Sequence, residues 1–418
     1  MTRSAAWLLA ACLASACGGE PPSLVVVTLD TVRRDHVGVY GDARGLTPHL
    51  DALARRGLVF ELAFTTMPTT GPAHASLFTG LFPSEHGSLA NGEPVAKDAA
   101  RRSLALLLGE RGYTSAAFVT TRLLAPAATG LPGFEIYDAP RGVLRPGARA
   151  VEAALAWLAN EPRRPVFLWV HLYDAHAPYG TPDEKRRSIP VDPRLHGFVD
   201  RARFTNPAEP ARMVSRYAAG VREADAALGR LAAGLAGLLE PEPFLVVVAD
   251  HGESLDEHLV SRGYAFDHGE FLDEEVVRIP LVLAGPGVAA GRSRAAVSIR
   301  DLHATLLSVA GASAAAGPGA DATDLRAPPG GPRVVVVERR RAGPGEPTLA
   351  PDHAAAAFDA TGGVIVGEDG APVPGSAPPD AELLAAARRH ALGAPPPAGR
   401  GVTSPDVAEA LRSLGYTK

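Results

Sequence analysis

Cysteine is almost missing from this chain: there are 2, Cys12 and Cys17, and both fall within the first 17 residues. Past that point no disulfide can form and no zinc site can be built on thiolates, so the core is expected to hold without them. An excess of one charge is missing too. The 41 lysines and arginines are offset by 46 aspartates and glutamates, giving a formal charge of −5 and a pI near 6.2, which leaves no basic field to hold nucleic acid. Nor is there an apolar run of the roughly 20 residues that a membrane-spanning helix requires. At 418 residues the length allows more than one domain, although large α/β units also reach this size.

The start of the chain reads as an export signal. Met1-Thr2-Arg3 supplies positive charge, residues 5–16 are apolar but too short to span a bilayer, and small residues lead into each cysteine. Ala14-Ser15-Ala16-Cys17 has the form of a bacterial lipobox with a signal of ordinary length. Leu9-Ala10-Ala11-Cys12 fits the lipobox pattern better but leaves a very short signal. The expectation is a lipoprotein signal over residues 1–16, a lipid anchor at Cys17, a tether over residues 17–22, and a protein exported to the cell envelope. A plain cleaved signal is the alternative.

Two uninterrupted apolar runs each end on an aspartate: residues 23–30 close on Asp30, and residues 244–251 close on Asp250 and His251. Runs without polar alternation read as strands buried on both faces of a parallel sheet, and ligands of open α/β sheets gather at the carboxyl ends of such strands. Two carboxylates and an imidazole thus reach one edge of one sheet, where burial is costly unless they are paired or hold a metal. Helix capping by Asp30 is the plainer alternative. Between the runs lies Thr69-Thr70-Gly71-Pro72-Ala73-His74, a hydroxyl residue followed by proline and helix formers. This predicts a helix start with Thr70 at or near the N-cap, and therefore an anion-binding point. A divalent cation on Asp30, Asp250 and His251 would make the Thr70 hydroxyl a nucleophile toward phosphorus or sulfur.

Read in order, these stretches resemble the sulfatase family of the alkaline phosphatase superfamily. Leu29-Asp30-Thr31-Val32-Arg33-Arg34-Asp35-His36, residues 47–54, residues 70–80 with His86-Gly87, and His171-Leu172-Tyr173-Asp174-Ala175-His176 all match. So do Asp250-His251-Gly252-Glu253-Ser254 and His268-Gly269 leading to Arg278-Ile279-Pro280-Leu281, so that the likeness covers about residues 23–310. The resemblance implies an α/β fold, an alkaline-phosphatase-like three-layer sandwich with a mostly parallel central sheet. It also implies a divalent metal ion (Zn, Mn or Ca) on Asp30, Thr70, Asp250 and His251.

The chain departs from the family where the helix begins. True sulfatases place C-x-P-x-R or S-x-P-x-R there and oxidise the first residue to formylglycine, whereas oxidising the secondary alcohol of Thr70 would give a ketone. No formylglycine is expected. His74 replaces the family's arginine, and the K-W-H motif that follows the next strand is missing from residues 118–122. Thr70, the H-x4-H spacing of His171 and His176, and His268-Gly269 resemble the phosphoethanolamine transferases and other phosphoryl-transfer branches. There such histidines bind a second zinc or the substrate phosphate. The likeness implies catalytic roles for Thr70, His176 and His268, substrate contacts at His74, Asn91 and His171, and a second metal at Asp174, His176 and His268.

The remaining chain divides into a catalytic unit over residues 23–312, an Ala/Gly/Pro linker over 313–332 and a small C-terminal α+β subdomain over 333–418. A loop over residues 179–207 follows the His176 motif and suits the shaping of substrate entry. The expected function is a metal-dependent hydrolase of phosphate or phosphonate esters on small-molecule, glycan or lipid substrates. A sulfuric ester hydrolase without formylglycine, a phosphoethanolamine-type transferase and an inactive envelope binding protein are the alternatives.

Overall fold

The computed structural model describes residues 21–160, 162–186, 197–199, 206, 208–312, 319, 321–340, 353–373, 380–392 and 404–414. The expected signal, Cys17, most of the tether and parts of both the 179–207 loop and the linker lie outside these residues.

The strands are β1 (Leu24–Leu29), β2 (Leu58–Phe64), β3 (Thr114–Phe118), β4 (Ile136–Asp138), β5 (Val166–Leu172), β6 (Gly197–Phe198) and β7 (Phe244–Ala249). They continue as β8 (Tyr264–Ala265), β9 (Arg278–Ile279), β10 (Leu281–Ala284), β11 (Gly291–Ser298), β12 (Val335–Arg340), β13 (His353–Phe358) and β14 (Gly363–Gly367). The main sheet runs β11-β2-β10-β7-β1-β5-β3-β4, with β9 beside β2, while β6 and β8 pair only with each other. Along that path β10 alone is antiparallel to its neighbours.

β1, β5 and β7 are buried at every residue, as their unbroken apolar sequences require in the middle of a sheet covered on both faces. Their register positions the chemistry. Leu29 pairs with Leu172 on one side and Ala249 on the other, so one further step along each strand sets Asp30 beside Asp250 at the carboxyl edge. Helices Pro48–Arg55, Gly147–Ala159 and Ala208–Leu238 form one covering layer, and Thr70–Thr79, Leu104–Gly109 and Asp301–Val309 form the other.

The C-terminal sheet β12-β13-β14 is antiparallel and two-faced. Val335, Val337, Ala354, Ala356 and Phe358 pack on Phe64, Val277 and Ala296 of the main domain. The alternate residues Val336, Ala355, Ala357 and Val364 face the helix Ala381–Ala391, as a period of two demands. The last helix, Pro405–Ser413, packs elsewhere: Val407, Ala410 and Leu411 cover Leu123 and Ala128 of the catalytic unit, and Asp406 pairs with Arg122.

Phe358 is 5% exposed and stacks on Phe64 at 4.6 Å, joining the two sheets. Phe358→Ala is expected to cost about 3 kcal/mol, mostly as a cavity at that seam. Urea unfolding of the purified protein measures it, and a loss below about 1 kcal/mol would show that the seam contributes little.

Candidate active site

Asp30 leaves β1 and Asp250 leaves β7 with both side chains fully buried. Asp250 Oδ1 accepts the backbone N–H groups of Thr31 at 3.1 Å and of His251 at 2.8 Å. Asp30 Oδ2 lies 3.1 Å from His171 Nε2. The other oxygens, Asp30 Oδ1 and Asp250 Oδ2, are buried without a hydrogen-bond partner. Thr31 holds a left-handed backbone, φ 57°, which is uncommon for a β-branched residue. Its N–H on Asp250 and its carbonyl, which accepts the Tyr217 hydroxyl at 2.7 Å, keep it there. Backbone strain of this kind is held where a site needs the turn.

His251 Nδ1 sits 2.9 Å from the Gly252 carbonyl, which can only accept, so the proton is on Nδ1 and Nε2 is bare. That nitrogen faces Thr70 Oγ1 at 3.3 Å and Asp250 Oδ2 at 3.5 Å. Ligand atoms of Asp30, Asp250 and His251 all lie within 4.8 Å of one another. Two oxygens and an imidazole nitrogen gathered this closely, with the Thr70 hydroxyl as the protein donor within reach, suit a divalent cation.

Thr69 is the N-cap and Thr70 the first residue inside the helix. The helix start offers fewer free donors than its sequence implies. The Gly71 N–H goes to Asn91 Oδ1 at 2.7 Å, Pro72 has none, and the Ala73 N–H returns to the Thr69 carbonyl at 3.0 Å. Because Gly71 donates to Oδ1, the buried Asn91 Nδ2 is the donor left over, and it has no partner.

Three expectations require correction. His74 does not face substrate: its Nδ1 donates to the Thr70 carbonyl at 2.7 Å, and its Nε2 accepts the Thr28 hydroxyl at 3.0 Å. Thr28 in turn accepts the Trp169 indole N–H at 3.0 Å, so a chain of bonds supports the Thr70 backbone. His171 is likewise used up. Between Asp30 and Thr120, whose hydroxyl lies 3.0 Å from Nδ1, it orients a ligand from behind. The proposed second metal set does not assemble, because both Asp174 oxygens take the Gly147 N–H at 3.1 Å and cap that helix. Among the described residues the other possible cluster is His258, Asp273 and Glu275. There Arg262 neutralises Asp273 and His258 pairs with Glu275 at 2.5 Å.

His176 and His268 do reach the site's rim. His176 donates from Nδ1 to the Ala177 carbonyl at 2.8 Å and stacks on Tyr173 at 4.1 Å. His268 meets His176 edge-on at 5.1 Å, lies 4.3 Å from the His251 ring and contacts Glu253 at 3.2 Å. Burial pushes the His74 and His171 rings down to about 4 and holds His176 well below its ordinary range. These rings are therefore neutral donors and acceptors at physiological pH, and they cannot neutralise an anion. Sequence reasoning passed over Thr28, Thr120, Trp169 and Tyr217; only Thr28, a lone polar residue inside the apolar run of β1, gave any signal.

A family model described as Sulfatase matches residues 22–312. The chain belongs to the sulfatase family. It is similar to the delta 4,5-hexuronate-2-O-sulfatase of Bacteroides thetaiotaomicron, 25% identical over 325 residues, covering 67% of this chain and 65% of that protein. The chain thus spans just under two thirds of that relative's length. It is also similar to the multifunctional alkaline phosphatase superfamily protein PehA of Trinickia caryophylli, 24% identical over 361 residues, covering 63% of this chain and 68% of that one. Among solved structures, a protein in complex with its substrate D-glucosamine-2-N,6-O-disulfate shares the fold at TM-score 0.70 and 17% identity, covering 85% of this chain and 90% of that one. The phosphonate monoester hydrolase of Agrobacterium radiobacter does so at TM-score 0.63 and 19% identity, covering 82% and 87%.

The paired carboxylates give a pH signature. Burial pushes the Asp30 carboxyl up to about 7 against the attraction of His251, and burial together with Asp30 raises Asp250. A carboxyl whose pKa rises on folding binds protons more tightly in the native state, so stability falls as pH rises from about 4 to about 7. Urea midpoints of the chelator-treated protein are expected to fall more steeply over that window than those of Asp30→Asn. Equal slopes would show that the pair is not strained without a cation.

Proposed function

We propose that this protein is a divalent-metal-dependent hydrolase of phosphate or phosphonate esters that uses Thr70 as a covalent nucleophile. One observation carries the reading: Thr70 Oγ1 stands 3.3 Å from the bare Nε2 of His251, beside the two unpartnered carboxylate oxygens of Asp30 and Asp250. Asp30, Asp250 and His251 would hold the cation, which when bound supplies Lewis acidity and favours the ionised hydroxyl. Thr70 Oγ1 then forms a bond to phosphorus as the bond to the leaving oxygen breaks, and the leaving alkoxide takes up a proton. Water cleaves the phosphothreonine, returning the hydroxyl and releasing phosphate or phosphonate. Asn91 Nδ2 is the buried donor available to a non-bridging oxygen. His176, kept neutral by burial, and His268 line the approach as hydrogen-bonding groups.

Phosphorus is favoured over sulfur for two reasons. Thr70 cannot become formylglycine, and His74, where the family carries a cationic arginine, is neutral and bonded internally. Positive charge at the reacting centre then comes mainly from the bound cation, and a phosphate dianion gains more from it than a sulfate monoanion does. Phosphate or phosphonate esters are expected to exceed matched sulfate esters in kcat/KM by at least about tenfold, roughly 1.4 kcal/mol. A sulfate ester hydrolysed faster than every phosphorus ester would select the second reading, a sulfuric ester hydrolase without formylglycine, which the named sulfatase relatives favour.

Thr70→Ala should abolish turnover with the fold intact, whereas Asp250→Asn should lose both metal and turnover. Full metal occupancy in the purified Asp250→Asn variant would remove the ligand assignment. We place the protein in the cell envelope, held to the membrane by a lipid on Cys17. No helix of the described residues is long and apolar enough to cross a membrane. The protein should enter the detergent phase on phase separation, and Cys17→Ser should stay in the aqueous phase or keep its signal. A wild-type protein that is unmodified and aqueous would refute the anchor.

A further inference from the structure

The strand β1 has the expected anchor close to one end and the metal site at the other. It is 6 residues long, so about 20 Å separate its start at Leu24 from Asp30. β5 and β7 run parallel to it, β3 is parallel to β5, and β2 is brought back to the same direction through the antiparallel β10. The amino ends of all these strands therefore share one edge, and the site lies on the opposite one.

The start of β1 is pinned. Tyr113 donates its hydroxyl to the Pro22 carbonyl at 3.0 Å, the Ser23 carbonyl accepts the Phe244 N–H at 2.9 Å, and Ser23 Oγ accepts the Val166 N–H at 3.2 Å. Only residues 17–21 then stand between a lipid on Cys17 and fixed backbone, and a segment of that length spans at most about 18 Å when fully extended. An anchor at Cys12 would lengthen the reach to about 36 Å at most.

A compact chain of 418 residues is about 55 Å across. To lay the carboxyl edge on the membrane, the tether would have to pass around half the perimeter, roughly 85 Å. Neither anchor reaches that far. At the amino edge Arg111 stands beside Glu110 and Arg56 pairs with Glu242, so both signs are present and the short tether, not a charged patch, sets which way the protein faces.

We infer that the anchored enzyme turns its catalytic edge away from the membrane that holds it and acts on water-soluble esters, not on the headgroups of its own lipid surface. Substrates of open α/β sheets enter from the crevice outside the carboxyl ends, and here that crevice faces the aqueous side. The inference rests on the lipid at Cys17 and on the hydrolase reading, but not on the choice between phosphorus and sulfur.

The test uses the full-length protein in phosphatidylcholine vesicles, with the lipid on Cys17 first read by mass spectrometry. The 2 cysteines are Cys12, in the expected signal, and Cys17, so Arg111→Cys and Val260→Cys each add one thiol for a fluorescent dye. Arg111 is exposed just before β3, and Val260, 77% exposed, lies on the loop that leaves the carboxyl end of β7. An energy-transfer acceptor on the lipid headgroups should quench the dye at position 111 several-fold more than the dye at position 260.

Activity gives the second readout, with Zn, Mn or Ca supplied. Nitrophenyl phosphate and nitrophenyl sulfate in solution are compared with lipids of the same vesicle whose headgroups end in those groups. Whichever soluble ester reacts, its membrane-borne counterpart should be hydrolysed at least about a hundredfold more slowly, because a tether that cannot span two sites gives an effective concentration near zero. Inserting about 100 Gly and Ser residues between Gly19 and Glu20 makes a coil of roughly 55 Å root-mean-square length and should raise that slow rate at least about tenfold. Equal quenching at both positions, lipid-borne ester cleaved as fast as soluble ester, or no gain from the long tether would each overturn the inference. A protein without lipid on Cys17 would refute the anchor and the inference with it. Quenching as expected from a protein that cleaves neither soluble ester would refute the hydrolase reading while supporting the orientation.

Discussion

Two carboxylates buried side by side at the ends of adjacent parallel strands cannot both be ionised in a dry interior without a cation between them. The parallel register of β1 and β7 forces Asp30 and Asp250 into that position, and the surrounding structure is arranged around the consequence. Donors are supplied to their outer oxygens, from His171 to Asp30 and from the Thr31 and His251 backbones to Asp250. The inner oxygens are left bare. A core assembled only for stability would satisfy both, because an unmade hydrogen bond on a buried carboxylate costs more than a neutral one.

Burial keeps His74 and His171 neutral beside this pair. A protonated imidazole beside Asp30 or Asp250 would compete with a metal for the same negative charge. His74 is fixed by Thr28 and the Thr70 carbonyl, while His171 donates from Nε2 to Asp30 and is held from behind by Thr120. The hydroxyls of Thr28 and Thr120 thereby choose tautomers at a distance from the reacting atoms.

Much of the fold and the centre of the site are legible in the sequence for a physical reason. Strands buried on both faces must be continuously apolar, so a charged residue at their end stands out, as Asp30 and Asp250 do. The helix start at Thr70 is legible because proline is tolerated only in the first turn. Other strands are harder to read. β2 carries the half-buried Glu61 and β11 the exposed Arg292 and Arg294, and an alanine-rich strand such as β13 has no β-branched signature. The roles of His74, His171 and Asp174 were misread because they depend on partners far away in sequence: Thr28, Thr120 and Gly147. Spacing alone cannot tell a ring that touches substrate from one that holds a ligand in place.

The C-terminal sheet lies beyond the residues the family model matches, yet it is tied to the site by more than an apolar seam. On β12, Glu338 donates its backbone N–H to the Thr66 carbonyl at 2.7 Å, just before the Thr70 helix. Its carboxylate accepts the Ser84 hydroxyl at 2.6 Å and binds His390 at 2.7 Å. The next residue, Arg339, turns to the opposite face and donates to the Gly269 carbonyl at 3.1 Å and to Glu270 at 2.6 Å, on the loop that carries His268. One strand therefore grips the segments that flank the Thr70 helix and the loop that carries His268. A β-strand can do this because consecutive side chains point to opposite faces, so two adjacent charged residues reach two different loops without any bend in the chain. A subdomain that only covered the sheet would need neither charge, since Phe358 on Phe64 and the valines beside it already hide the seam.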